Sequence, residues 1–68
     1  MSFTYTMAKK LAEHLKTQGK KELSLSEMSV VLRDATNTMD ARWIKNYLQS
    51  MVTAKLIELL PNGKFKVL

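Results

Sequence analysis

Arg42, Lys45, Asn46 and Gln49 recur at intervals that place them on one side of a helix. At 100° per residue the four, with Thr53, fall within an arc of about 100°. The set holds two cations and two amides and no carboxylate. Arginine donates in pairs to the guanine edge, and asparagine or glutamine pairs with adenine, so the chemistry these side chains offer is readout of bases in the major groove of duplex DNA. A helix in water also needs a polar face, so the arc taken alone is equally met by solvation. Lys64 and Lys66 form a second set, alternating with Phe65 and Val67 beyond Pro61-Asn62-Gly63. No acidic residue follows Glu58. These lysines suit phosphate contact, and edge-strand lysines also serve to block aggregation.

Catalysis finds no support in the residue types. His14 is the single histidine and lies beside an apolar helical stripe, where a structural imidazole is expected rather than a general base. With no cysteine and one histidine, no recognisable metal-ligand spacing arises. Gly19 and Gly63 are the only glycines, so a glycine-rich phosphate loop is excluded. The expectation is a protein that is not an enzyme and has no cofactor, metal or small-molecule substrate.

The chain has 68 residues, 46% hydrophobic and 25% charged, which fits one globular domain with a small core. Without disulfides, such a core depends on strong local signals or on a second subunit. Eleven Lys/Arg against six Asp/Glu give net +5, a field that attracts polyanions. No apolar run approaches the roughly 20 residues needed to span a bilayer, and Met1-Ser2-Phe3-Thr4-Tyr5-Thr6 lacks the apolar segment of a secretory signal. The expected setting is the cytoplasm, with no membrane association.

The elements that would position these residues follow from caps and periodicity. Thr6 is a candidate cap for a first helix over about 6–18, stopped by Gly19. Met7, Ala8, Leu11 and Leu15 share its apolar side, and Lys9, Lys10, Glu13 and Lys16 the other. Lys20 to Leu25 alternates briefly and could add a single strand. Ser24 and Glu27 have capping-box spacing, with Ser26 a competing cap, so a second helix covers about 26–35, with Met28, Val31, Leu32 and Ala35 inward and Val30 off that face. Asp40 caps a third helix over about 41–54, with Met39 and Ile44 at staple spacing and Ile44, Tyr47, Leu48 and Met51 inward. Residues 56–68 read as a hairpin turning on Pro61-Asn62-Gly63.

The order helix, short strand, helix, helix, hairpin resembles the winged helix-turn-helix family of DNA-binding proteins. The most specific parts are Leu25-Ser26-Glu27-Met28, Met39-Asp40-Ala41-Arg42-Trp43-Ile44, and Leu48-Gln49-Ser50-Met51 leading to Leu56-Ile57-Glu58. Its brevity resembles small regulators of archaea, their viruses and plasmids. The resemblance implies an α+β fold of three helices with a C-terminal two-stranded wing. It further implies double-stranded DNA as partner, with Arg42, Lys45, Asn46 and Gln49 facing bases and Lys64, Lys66, Asn37 and Thr38 near phosphate. Family members often carry glycine before the Leu-Ile pair that enters the wing. Here Lys55 stands there, so either the helix runs on or Lys55 takes a left-handed conformation.

Phe3, Tyr5, Val30 and Trp43 are apolar residues that three short helices do not obviously bury. They mark a candidate surface for a homodimer or another partner. A winged helix that only binds proteins is the competing reading, because one fold hosts both functions. Trp43 lies between the apolar stripe and the polar arc, with packing, DNA contact and partner contact all open to it.

Overall fold

Thr4, rather than Thr6, begins the first helix: its hydroxyl accepts from the Met7 N–H at 3.2 Å. A computed structural model describes residues 3–68. Helix α1 covers Tyr5–Thr17 and buries Ala8, Leu11, Ala12 and Leu15. It ends in a left-handed Gly19 (φ 75°). The Lys20 N–H donates to the Leu15 carbonyl and the Gly19 N–H to that of Lys16, which satisfies two carbonyls the helix leaves open. His14 is exposed in the last turn of this helix and its side chain makes no hydrogen bond with the described residues, so the expected structural imidazole is not found.

After the two-residue strand β1 (Glu22–Leu23), α2 runs over Leu25–Thr36. Its start is a reciprocal box: Glu27 N–H donates to Ser24 Oγ at 3.2 Å, and Ser24 N–H to Glu27 Oε1 at 2.9 Å. The inward face is Met28, Leu32 and Thr36, not Ala35, which is exposed; Val31 is half-buried. Thr36 is the one buried polar side chain among the described residues, and its hydroxyl donates to the Leu32 carbonyl at 2.7 Å. A left-handed Asn37 (φ 55°) closes the helix.

Helix α3 (Ala41–Thr53) starts at Asp40, whose Oδ1 accepts from the Arg42 N–H at 2.9 Å, and buries Ile44, Tyr47, Leu48 and Met51. It does not run on. Lys55 turns left-handed (φ 61°), with Leu56 N–H bonded to the Met51 carbonyl and Lys55 N–H to that of Val52. This repeats the geometry after α1 with lysine in place of glycine.

Strands β2 (Ile57–Leu59) and β3 (Phe65–Val67) form the expected hairpin. Leu60 N–H donates to the Lys64 carbonyl, Gly63 N–H to that of Leu60, and Gly63 supplies φ 85°. The sheet is larger than the two-stranded wing expected from sequence. β1 joins β3 on its other side, giving a three-stranded antiparallel sheet in the order β1-β3-β2. Leu23, Ile57, Phe65 and Val67 line its inner face and complete the core with the three helices.

The turn at Lys55 makes a stability prediction. Left-handed backbone costs a non-glycine residue about 1–2 kcal/mol, partly offset by the greater freedom glycine loses on folding. Lys55→Gly is therefore expected to stabilise the domain by roughly 0.5–1 kcal/mol, raising Tm by several degrees. Gly19→Ala should lower Tm by a similar amount, and since nothing lies within 4 Å of an added Cβ, its cost is backbone strain alone. Thermal unfolding followed by circular dichroism measures both. A Lys55→Gly midpoint at or below wild type would show that α3 does not end in a left-handed turn.

Candidate nucleic-acid interface

The amphipathic period of α3 turns Ile44, Tyr47, Leu48 and Met51 inward, leaving Arg42, Lys45, Asn46, Gln49 and Thr53 exposed together on the other side. The side chains of Lys45, Asn46 and Gln49 make no hydrogen bond with the described residues, so their donors and acceptors face solvent unused. Asn46, Gln49 and Thr53 border one shallow hollow on the outer side of the helix with Ser50.

Arg42 is placed differently from its neighbours. Its guanidinium folds back on the cap, with Nε 3.4 Å from Asp40 Oδ1 and Nη2 3.1 Å from Oδ2. That ion pair orients the guanidinium while its side chain stays 89% exposed. Of five N–H donors two point at Asp40, and the edge built on Nη1 and the second Nη2 hydrogen remains open. Asp40's carboxyl is held below its ordinary pKa first by this side-chain contact and then by the Arg42 backbone N–H.

The hairpin lysines are less free than their sequence neighbourhood implies. Lys66 lies directly across from Glu22 on β1 and Glu58 on β2, so the outer face of the sheet places one cation between two carboxylates. Lys64 sits at the turn, its backbone N–H donating to Asn62 Oδ1 at 2.9 Å. Its ammonium lies within electrostatic reach of Glu27. That carboxyl is lowered mainly by the Ser24 backbone and hydroxyl, with Lys20 and Lys64 adding to the effect. Glu22 and Glu27 arrive from far earlier in the chain, which is why the run after Glu58 reads as purely cationic.

Asn37 is exposed at the end of α2, and Thr38 is half-buried with its hydroxyl 3.4 Å from the Thr36 carbonyl. Both lie in the turn that leads to the α3 N-terminus.

The four apolar residues read as leftovers separate. Phe3 is absorbed by the core, stacked on Tyr47 with ring centroids 4.7 Å apart. Trp43 stacks on Tyr47 at 6.3 Å and remains half exposed, so intramolecular packing accounts for part of its surface. Tyr5 and Val30 stay exposed, and Met39 is more so, at 80%.

Sequence reasoning missed a groove of about 600 Å³ between α2, α3 and the hairpin. Ile44, Leu48 and Phe65 lie along it, Leu25 and Leu59 stand at its lips, and Ser29, Arg33, Lys45 and Gln49 are its polar members. The available signal was Leu59, which pairs with Phe65 on the inner side of the sheet yet is 57% exposed. Among the described residues no group of three or more His, Asp or Glu is placed to hold a metal ion, and no helix is long and apolar enough to cross a membrane. No protein-family model, curated protein or solved structure matches the chain.

The Asp40 ion pair sets an expected acid response. A folded-state pKa below the unfolded one means that Asp40 contributes stability above the ordinary carboxylate value of about 4. That contribution is lost as pH falls through the lower folded value. Asp40→Asn retains a capping oxygen but cannot titrate. Urea midpoints taken from pH 6 to pH 2 should therefore fall less steeply for the variant than for wild type, Glu27 supplying the slope that remains. Parallel curves would show that Arg42 and Asp40 are not paired in solution.

Proposed function

We propose that this chain is a winged helix-turn-helix domain that binds double-stranded DNA and acts in transcriptional regulation, inside the cell. On this reading α3 enters the major groove and the hairpin lies along the adjacent backbone. The observation that carries the proposal is the exposed face of α3: two amides and two cations, without a carboxylate in the arc, and with the Lys45, Asn46 and Gln49 groups unengaged. The element order and the β1-β3-β2 sheet support the fold assignment, and the net charge of +5 supports a polyanionic partner.

The residues divide by role. Asn46 and Gln49 are the adenine-pairing candidates. Arg42 would present its open edge to guanine while Asp40 holds the rest of the guanidinium still, a loss of freedom already met before binding. Lys45 lies on the border of the arc. Lys64, at the turn, is the stronger phosphate candidate. Lys66 is weaker, because Glu22 and Glu58 flank it and repel phosphate. Asn37 and Thr38 would meet phosphate beside the α3 N-terminus, where the helix dipole favours an anion and the capping Asp40 carboxylate works against it.

A homodimer belongs to the same proposal, since two copies would double the contacts across two half-sites about one helical turn apart. Its surface is Tyr5, Val30 and the exposed part of Trp43, with Phe3 contributing from beneath through Tyr47. Sedimentation at micromolar concentration should show the dimer, and a sample that stays monomeric throughout would remove this part.

Binding to random duplex DNA, titrated with salt from about 50 mM, is the direct test: log affinity should fall linearly with log salt. Lys64→Ala should weaken all duplexes alike and reduce the slope by about 1. On a preferred site, found by selection from random duplexes, Arg42→Ala should cost about 1–3 kcal/mol and relax the preference there. Asp40→Asn should also lower the preference for that site while leaving random-duplex affinity unreduced. A folded protein that shows no duplex binding at low salt refutes the proposal.

A further inference from the structure

The groove beside α3 combines two properties that duplex DNA cannot use together. Its floor is apolar, built from Ile44, Leu48 and Phe65. Its lips, Leu25 and Leu59, are each 57% exposed, an unusual outlay of large aliphatic side chains on a domain with so small a core. Its rim is cationic, with Arg33 from α2 and Lys45 from α3, and no carboxylate occurs among the described residues that line it.

We propose that this groove docks an acidic amphipathic helix supplied by a partner protein. An apolar face would fill the floor between Leu25 and Leu59, and flanking carboxylates would meet Arg33 and Lys45. This is the helix-in-groove mode of recognition, in which anchors one helical turn apart enter a preformed trough. The dimensions fit. The α3 side of the groove extends from Ala41 to Val52, about 16 Å at 1.5 Å per residue, which matches three turns of a docked helix. The volume of about 600 Å³ accommodates several aliphatic or aromatic side chains.

Charge disfavours α1 or α3 of a second copy of this chain as the occupant. The outer face of α1 carries Lys9, Lys10 and Lys16 with a single Glu13, and the outer face of α3 is also basic. Either would bring like charge to Arg33 and Lys45.

The occupant would also act on DNA binding, a part of the inference that rests on the function proposed above. Lys45 and Gln49 belong to both surfaces: they line the groove and border the base-facing arc. A helix seated between α2 and the hairpin covers them, so partner and duplex compete for α3.

The probe is a fluorescein-labelled 14-residue helical peptide with leucines one turn apart along one face and glutamates flanking them, titrated into the full chain. Micromolar binding is expected, at least tenfold weaker for a peptide with the leucines replaced by serine and for one with the glutamates replaced by lysine. Leu59→Asp and Lys45→Glu should each weaken binding tenfold or more. Lys16→Glu, the same charge change on α1, should stay within twofold. In ¹⁵N-labelled protein the shifted amides should be those of α2, α3 and Leu59. Equal weakening by Lys16→Glu, or undiminished binding of the serine peptide, would mean diffuse charge attraction and overturn the site. Pairing of the peptide as an extended strand on β2 would overturn the helical occupant. In the DNA arm the peptide should displace a bound duplex. Simultaneous binding overturns the competition alone, whereas a chain that binds the peptide and no duplex refutes the DNA reading and leaves the docking site standing.

Discussion

The last strand, Phe65–Val67, is hydrogen-bonded on both sides, and the arrangement of the domain depends on that double pairing. One neighbour is β1, which leads into α2, and the other is β2, which leaves α3. Its inner residues, Phe65 and Val67, are buried in the core that α1 shares. A two-stranded hairpin alone is marginal in water, and a third strand with an apolar face packed on helices makes it persistent. Here that third strand is only two residues long, extended by the bond from the Val67 N–H to the Lys21 carbonyl. The closing contacts therefore join segments about two-thirds of the chain apart, so the sheet and the positions of α2 and α3 are established together.

The same strand governs the electrostatics. By pairing with Glu22 and Glu58, Lys66 becomes the centre of a charge triplet on the outer face of the sheet. On α3 the Arg42 guanidinium is ion-paired with its own cap residue, Asp40.

The proposed DNA surface and the proposed docking groove meet along one edge of α3. The helix has a narrow buried stripe, and Ala41, Lys45 and Val52 form its margin toward the groove, which Gln49 also reaches from the outer arc. Leu59 and Leu25 extend that margin with apolar surface that the core does not take up. A margin of this kind lets one helix serve two partners in alternation, because an occupant on one side covers residues needed on the other.

Much of the local architecture was legible in the sequence because it depends on residues within a few positions of one another. The Ser24–Glu27 box, the Asp40 cap, the Pro61-Asn62-Gly63 turn and the left-handed stop at Gly19 all follow from side-chain chemistry at fixed short spacing. The inward stripe and polar arc of α3 followed from helical period. Near misses were also local: Thr4 caps α1 instead of Thr6, and Thr36 is buried where Ala35 was expected. The choice between a longer α3 and a left-handed Lys55 was not decidable locally, since lysine favours the former and the path of Leu56 into the core requires the latter. Only tertiary structure joined β1 to β3, set Lys66 between two glutamates, drew Phe3 onto Tyr47, exposed His14, and opened the groove at Leu25 and Leu59. Each of these arises from residues distant in sequence and close in space, and strand register, ring stacking and burial at such range leave no periodic trace in a single chain.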